Sequence, residues 1–220
     1  DLKNPLASIK GYADLLLRRS ARTPDDPNRR GLQVISEQVV RMGEMLDALL
    51  DVSRMANSRL TFDPRPNDLA EVVRALVETL QASGSELNIH LQGADESYPG
   101  VFDSLRVRQA IEQVVRNAIR FSPPDRPIEL TLQRDGDAAR LAVHDHGAGI
   151  SAEHRPRIFE PFFRANTATG QAGMGLGLFI AQQILERHDG TIRCESEEGQ
   201  GATFFLTLPL AAHYSKEQNT

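Results

Sequence analysis

Two patterns of apolar residues divide the chain. In the first 57 residues the apolar positions recur at alternating intervals of three and four. Leu2, Leu6, Ile9, Ala13 and Leu16 form one such series, and Leu32, Ile35, Val39, Met42, Leu46 and Leu49 form another. This is the spacing of one helix face sustained in heptads. Between the series, residues 23–28 read Thr-Pro-Asp-Asp-Pro-Asn, with two helix breakers. Residues 1–57 are therefore expected to form a helical hairpin. Leu15, Leu17, Val34, Val40, Met45, Leu50 and Val52 add apolar surface beside the stripes. A hairpin has little interior in which to bury it. A symmetric four-helix bundle built from two chains is the simplest solution, so a homodimer through residues 1–57 is expected. Packing of the hairpin on the rest of its own chain is the other.

From residue 58 to about 210 the pattern mixes the two periods of secondary structure. Residues 59–63 read as a short strand. Asn67 can cap a helix carrying Leu69, Val72, Val73, Leu76, Val77 and Leu80. Residues 89–92 read as a strand. Asp103 can cap a second helix running to about Arg120. Residues 128–132 and 141–143 read as sheet strands with Gly136 in the turn between them. A third helix is expected from Gly175 to about His188, stopped by Gly190, and a final hairpin from residues 191–195 and 202–208 around Gly199. Helices segregated from a mixed, largely antiparallel sheet make an α+β sandwich. Residues 211–220 form a polar tail.

Composition narrows the function classes. Forty per cent of the 220 residues are hydrophobic, enough for a packed core. The net charge of −5 points away from a nucleic-acid partner. Cys194 is the sole cysteine, which excludes an internal disulfide and fits a reducing, cytoplasmic setting. No apolar run approaches the roughly 20 residues that span a bilayer. No membrane contact is expected of this stretch, whereas a longer parent protein retains room for an anchor.

Candidate chemistry lies in separated short segments. Asp145, Gly147 and Gly149 read D-x-G-x-G after an apolar strand, where glycines let backbone approach a ligand; a tight turn reads equally well. Gly173, Gly175, Leu176 and Gly177 lie at a helix start, whose N–H groups favour phosphate; a flexible loop is the alternative. The segment lacks the Gly-Lys-Ser/Thr of a Walker A loop and the βαβ setting of a dinucleotide fingerprint. Gln113, Asn117 and Arg120 share one helix face opposite Ile111, Val114, Val115 and Ile119. Amide oxygens suit a Mg²⁺ that keeps water and phosphate ligands, and arginine pairs with phosphate, although a solvated polar stripe is the commoner meaning. Residues 159–164, Phe-Glu-Pro-Phe-Phe-Arg, lie between the glycine clusters and read as a lid or as a hydrophobic anchor. None of the six histidines has metal-ligand spacing with supporting acids.

Together and in this order, these segments resemble the catalytic core of sensor histidine kinases. Residues 113–118 resemble the family's asparagine box, 145–150 and 173–178 its two glycine boxes, 159–164 its phenylalanine box, and 199–204 its closing segment. Asp1-Leu2-Lys3-Asn4-Pro5-Leu6 resembles the phosphoacceptor motif. The resemblance implies a dimerisation and phosphotransfer hairpin joined to an ATP-binding domain of the gyrase and Hsp90 type. It implies ATP and Mg²⁺ as cofactors, autophosphorylation on histidine, and transfer to an aspartate of a response-regulator receiver domain. Asp145 would bond the adenine amino group and Phe121 would flank the base. Asn117, Arg120 and Arg164 would approach the phosphates, and Gly147, Gly149, Gly173, Gly175, Leu176, Gly177 and Thr203 would line the nucleotide. Gln113 would face the metal, Asp1 would orient the histidine, and Asn4 would position water for phospho-aspartate hydrolysis. Two departures stand out. Gln113 occupies the place of the usual asparagine, and of the glutamate base in related ATPases, which disfavours the ATPase reading. The acceptor histidine precedes the acidic residue in the family, whereas this sequence opens at Asp1. A nucleotide-binding dimer without kinase activity is the third reading.

Overall fold

The computed structural model describes residues 3–20, 28, 30–36, 39, 42–43, 46, 62–82, 87–164 and 175–210. Asp1, Gly173, the inter-helix turn at 23–27 and the tail at 211–220 lie outside the described residues. The chain divides into two compact units, Asp1–Leu60 and Thr61–Thr220.

In the first unit, helix α1 spans Lys3–Ser20, and residues 30–36 are helical as well. Ser36 Oγ donates to Asp14 Oδ1 at 2.9 Å. Leu6, Ala13 and Val39 are buried. Other stripe positions are not: Ile9 is 47% exposed, Leu16 43%, Ile35 46% and Met42 52%. Among the described residues, these four stripe positions therefore face solvent in the single chain. Among the described residues, no helix is long and apolar enough to cross a membrane.

The second unit is an α+β sandwich, as the mixed periodicity predicts. Strands β2 (Ile89–Gln92), β4 (Ile128–Asp135), β5 (Ala138–Asp145), β6 (Thr191–Ser196) and β7 (Ala202–Pro209) form one sheet in the order β2-β4-β5-β7-β6. Only β2 against β4 is parallel. Helices α2 (Leu69–Ala82), α3 (Ser104–Phe121) and α4 (Gly177–Glu186) supply the other layer, with α3 packed between α2 and α4. The alternation of β5 and β7 explains the core: Leu141, Val143, Phe204 and Leu206 point inward, where they and Val107, Ile111, Val114, Ile180 and Ile184 are nearly sealed from water. The outward phase carries Arg140, His144, Thr203 and Phe205.

Three local expectations shift. Among the described residues the first strand lies at Arg65–Asp68 (β1); Phe62 and Asp63, expected within a strand, are not in one, and residues 59–61 lie outside the described residues. Its partner is β3 (Pro99–Phe102), which pairs with it antiparallel and is not among the expected strands. Asn67 accordingly serves that ribbon, donating from Nδ2 to the carbonyls of Arg65 and Phe102. The cap of α2 is Asp68, whose Oδ1 accepts from Ala70 N–H at 2.9 Å. Helix α4 begins at Gly177 and ends at Glu186, two residues inside the expected limits at each end, with Gly190 N–H closing back on the Leu185 carbonyl.

The entry of the chain into this unit is anchored on the ends of α3 and α4. Asp103 caps α3 through Arg106 N–H at 3.0 Å. Its other oxygen accepts from Asp63 N–H at 3.0 Å. His188 stands just past α4, and its two ring nitrogens are both committed. Nδ1 lies 2.7 Å from the Ile184 carbonyl, which can only accept, so it carries the proton. Nε2 therefore accepts from Asp103 N–H at 3.1 Å. Phe62 packs edge-on against the imidazole with ring centroids 5.2 Å apart. Burial lowers the pKa of His188, opposed by its bond to Ile184 and the charges of Asp103 and Asp189.

A histidine held neutral binds fewer protons folded than unfolded. Its contribution to stability is present above the ordinary value of 6.5 and is lost as pH falls through that value toward the lower folded pKa. His188→Phe keeps a ring against Phe62 but strands the Asp103 N–H, a loss of about 1–3 kcal/mol near neutral pH. Urea unfolding at pH 7.5 and at pH 5.5 checks this. The gap between wild type and variant narrows at the lower pH; a gap independent of pH contradicts the assignment.

Candidate functional site

The site is built from helix α3 outward. Its inward face is fixed by Val107, Ala110, Ile111, Val114, Val115 and Ala118, all buried. The helical repeat then sets Gln113, Asn117 and Arg120 along another face, Gln113 and Asn117 half-buried and Arg120 exposed. Glu112 is turned aside and bound to Arg116 at 2.7 Å. Phe121 ends the helix with its ring 48% exposed.

Where α3 ends, Ser122 ties it to β5, its Oγ accepting from His146 N–H at 3.2 Å. The Phe121 carbonyl consequently sits 2.6 Å from where a Cβ on Gly147 would stand, with Asp145 Oδ1 2.9 Å from the same point. Asp145, the last residue of β5, is only 4% exposed. Its Oδ1 accepts from Gly147 N–H at 2.9 Å and from Ala202 N–H at 3.3 Å. Oδ2 takes part in neither bond. Burial raises the pKa of this carboxyl, and the two backbone donors and neighbouring His144 and His146 oppose the rise.

The loop after Asp145 is held by the turn between β6 and β7. Ala148 O accepts from Gly199 N–H at 2.7 Å, and Ile150 N–H donates to Ser196 Oγ at 2.8 Å. Gly149 has φ of +73°, and a Cβ there would run into the Glu197 carbonyl. No residue but glycine satisfies both constraints without strain.

The second glycine cluster meets α3 from the other side. A Cβ on Gly177 would lie 2.7 Å from Gln113 Oε1, so the glutamine amide occupies the space that glycine leaves at the start of α4. Leu176 is buried, and as the cap residue it offers the helix no side-chain acceptor. The first-turn N–H groups of α4 are thus not capped by its side chain. Gly175 O accepts from Phe162 N–H at 2.9 Å, which joins this cluster to the phenylalanine segment. There Phe162 is 56% exposed, and Phe163 lies under the Arg157 guanidinium at 4.4 Å.

The structure therefore brings Gln113 to Gly177, Phe121 to Gly147 and Asp145, and Gly175 to the phenylalanine segment. Arg164 is exposed at the edge of the described residues. Thr203 is not brought to this cluster: it lies on the outward face of β7, where its hydroxyl is 2.9 Å from His144 Nδ1. Ala202, one residue earlier, is the one that meets Asp145. Asn4 belongs to α1 in the other unit. Among the described residues, no group of three His, Cys, Asp or Glu can hold a metal ion. Ser122 and Ser196 escaped the sequence reading. Ser196 had a signal, being a polar residue in the inward phase of β6 after Ile192 and Cys194.

Residues 1–58 match the family described as His Kinase A (phospho-acceptor) domain. Residues 102–212 match the histidine kinase-, DNA gyrase B-, and HSP90-like ATPase family. The chain belongs to the sensor histidine kinases. The sensor histidine kinase YkoH of Bacillus subtilis is 34% identical over 91% of this chain and 44% of its own length. The sensor protein SrrB of Staphylococcus aureus is 26% identical over 95% of this chain and 36% of its own. The chain thus spans less than half the length of these curated relatives. Full-length ShkA, solved in complex with AMPPNP, superposes with a TM-score of 0.75 at 25% identity, covering 97% of this chain and 45% of that one.

The two glycine clusters of this histidine kinase differ in what a methyl group would meet. Gly149→Ala forces a positive φ and a backbone collision, and should cost about 2 kcal/mol or more. Gly177→Ala meets only the movable end of Gln113 and should change stability by less than about 1 kcal/mol. Thermal unfolding of both variants checks the contrast; equal losses contradict this account of the two loops.

Proposed function

We propose that this chain binds Mg-ATP between α3, the loop at 145–150 and the start of α4, and phosphorylates a histidine of its own dimer. The phosphoryl group then passes to an aspartate of a response-regulator receiver domain. Residues 1–57 serve as the dimerisation and phosphotransfer hairpin, 58–210 as the catalytic domain and 211–220 as a tail. The observation that carries this reading is Asp145: a buried carboxylate with one oxygen fixed by two backbone N–H groups and the other left to accept from a ligand amino group. An adenine 6-amino group is such a donor. Phe121, whose carbonyl abuts Gly147 and whose ring is exposed, offers the base an apolar face.

The phosphates are assigned to the N-terminus of α4, where backbone N–H groups favour anions. Arg120 and Arg164 add charge from either side. The donors present fit a magnesium ion that arrives with the triphosphate: Gln113 Oε1 stands at the start of α4 with Asn117 one turn along α3, and magnesium retains water and phosphate oxygens alongside few protein ligands. When bound, that ion neutralises developing charge on the transferred group. The protein's own part is positioning, with the acceptor held in line with the γ-phosphate.

The ATPase reading is weaker here. A water-activating base is needed at position 113, and an amide cannot take the proton. Glu112 is about 100° around the helix and paired with Arg116. The half-exposed Ile9, Leu16, Ile35 and Met42 support the dimer, since a second copy covers the seam they form. The opening motif places the acceptor immediately before Asp1, with Asp1 orienting it and Asn4 positioning water in the reverse, phosphatase direction.

The acceptor placement is tested with ATP labelled at the γ-phosphate. Residues 1–220 as they stand should form no acid-labile phosphohistidine. The same protein extended by a histidine before Asp1, behind two more helical turns, should be labelled. Labelling of residues 1–220 would move the acceptor to one of the six histidines present. An extended protein that binds ATP and stays unlabelled would favour the non-catalytic nucleotide-binding dimer.

A further inference from the structure

The loop that carries Asp145 into the site is not held by its own strand alone. It is clasped by the turn between β6 and β7, and one side chain in that turn bridges both sides. Ser196 is the last residue of β6 and is 8% exposed. Its Oγ accepts from Ile150 N–H at 2.8 Å and donates to the Gly201 carbonyl at 2.6 Å. A hydroxyl has one proton and two lone pairs, so both roles are filled at once and the direction of each bond is fixed. Ile150 closes the 147–150 loop. Gly201 immediately precedes β7 with φ of +80°, and its Cα faces the Asp145 carbonyl closely enough that a Cβ would collide with it. The next residue, Ala202, donates the second of the two N–H bonds to Asp145 Oδ1.

The chain of contacts therefore runs from Ile150 through Ser196 and Gly201 to Ala202 and the carboxylate. The other contacts between loop and turn are backbone to backbone or steric: Gly199 N–H to Ala148 O, and Gly149 against Glu197 O. They fix how far apart the two strands of chain lie. The β5–β7 ladder sets Ala202 opposite Asp145. The Ser196 hydroxyl is the side-chain tie that holds the Gly201 carbonyl, and with it the approach of the Ala202 N–H to Oδ1. It touches no ligand-facing atom itself.

We propose that Ser196 is a positioning residue for base recognition, setting the orientation of the Asp145 carboxylate and thereby the preference of the site for a purine bearing a 6-amino group. This rests on the reading of Asp145 as the adenine-binding residue. Loss of the hydroxyl frees Ile150 N–H and the Gly201 carbonyl, lets the start of β7 shift, and loosens the bond that holds Oδ1. The free oxygen then no longer presents a fixed direction to the base. The contacts proposed for the phosphates, at Asn117, Arg120 and the start of α4, do not involve the Ser196 turn. The consequence is a selective loss of discrimination and not a uniform loss of binding.

The experiment compares ATP with inosine triphosphate, which carries an oxygen in place of the 6-amino group, by calorimetric titration with magnesium. Wild type, Ser196→Ala and Ser196→Cys are measured over residues 1–220. The cysteine variant keeps the shape of the side chain, with a larger atom and a much weaker hydrogen-bonding group, so one variant remains informative if the other fails to fold. Wild type should prefer ATP by tenfold or more, and both variants should bring the two affinities to within about threefold. The fall should come from weaker ATP binding, with inosine triphosphate nearly unchanged. A preserved preference in a folded variant overturns the proposal, and so does an equal weakening of both nucleotides, which is what a merely structural role would give. Absence of any preference in wild type instead overturns the assignment of Asp145 to adenine.

Discussion

Removing a carboxylate from water costs several kcal/mol unless backbone donors or charges replace the lost hydration. Asp145 is nearly sealed at the end of a central strand, and its surroundings are organised around that cost. The Gly147 N–H reaches Oδ1 because the chain turns sharply after the strand; the Ala202 N–H reaches it because β7 begins alongside, in register with β5. Both approaches need backbone where a side chain would ordinarily stand, and this is why Gly147 and Gly201 flank the carboxylate in space. Supplying both donors to one oxygen leaves the other as an acceptor of fixed direction. A buried acceptor of that kind discriminates strongly, because a ligand without a matching donor leaves it unpaired.

The two helices of the site are placed by the same economy. Helix α3 is buried along one side and capped by Asp103, and this brings Gln113 to the start of α4 and carries the Phe121 carbonyl to the Gly147 turn. Asp103 N–H and the Ile184 carbonyl near the end of α4 are joined through the imidazole of His188, at the ends of the helices remote from the glycine clusters. The gap between α3 and α4 is therefore set from both ends, by a neutral histidine at one and by the Gln113–Gly177 contact at the other. In a histidine kinase, that gap is where the triphosphate is proposed to lie. The hairpin shows the complementary situation. Among its described residues, Ile9, Leu16, Ile35 and Met42 stay about half exposed, and their burial is what the proposed dimer would supply.

Much of this was legible in the sequence, for identifiable reasons. Long periodic segments such as residues 104–121 and 128–145 declare both their type and their buried face, because packing requires the same face at every turn. Motifs of glycine and acid declare the loops, since few residues tolerate such close backbone approach. What escaped was decided by tertiary pairing. The β1–β3 ribbon forms because Asp68 satisfies Ala70 and Tyr98 N–H together, which no local pattern reveals. Thr203 looked like a ligand residue from its motif, yet strand alternation turns it to the outer face beside His144, and Ala202 takes the place next to Asp145. Ser196 offers only its inward phase in β6 as a signal, and its role depends on two partners that the sequence does not show.

The central claim is that the unbonded oxygen of Asp145 reads the amino group of adenine. Asp145→Asn tests it most directly. Asparagine can keep the carbonyl oxygen that accepts from Gly147 and Ala202, so the loop retains both bonds, while the second oxygen becomes an NH₂ donor facing another donor. Titration of ATP in the presence of magnesium, with thermal unfolding measured alongside, gives the answer. The account predicts an unfolding temperature close to wild type and ATP affinity reduced about tenfold or more. Wild-type affinity in a folded Asp145→Asn protein would contradict it.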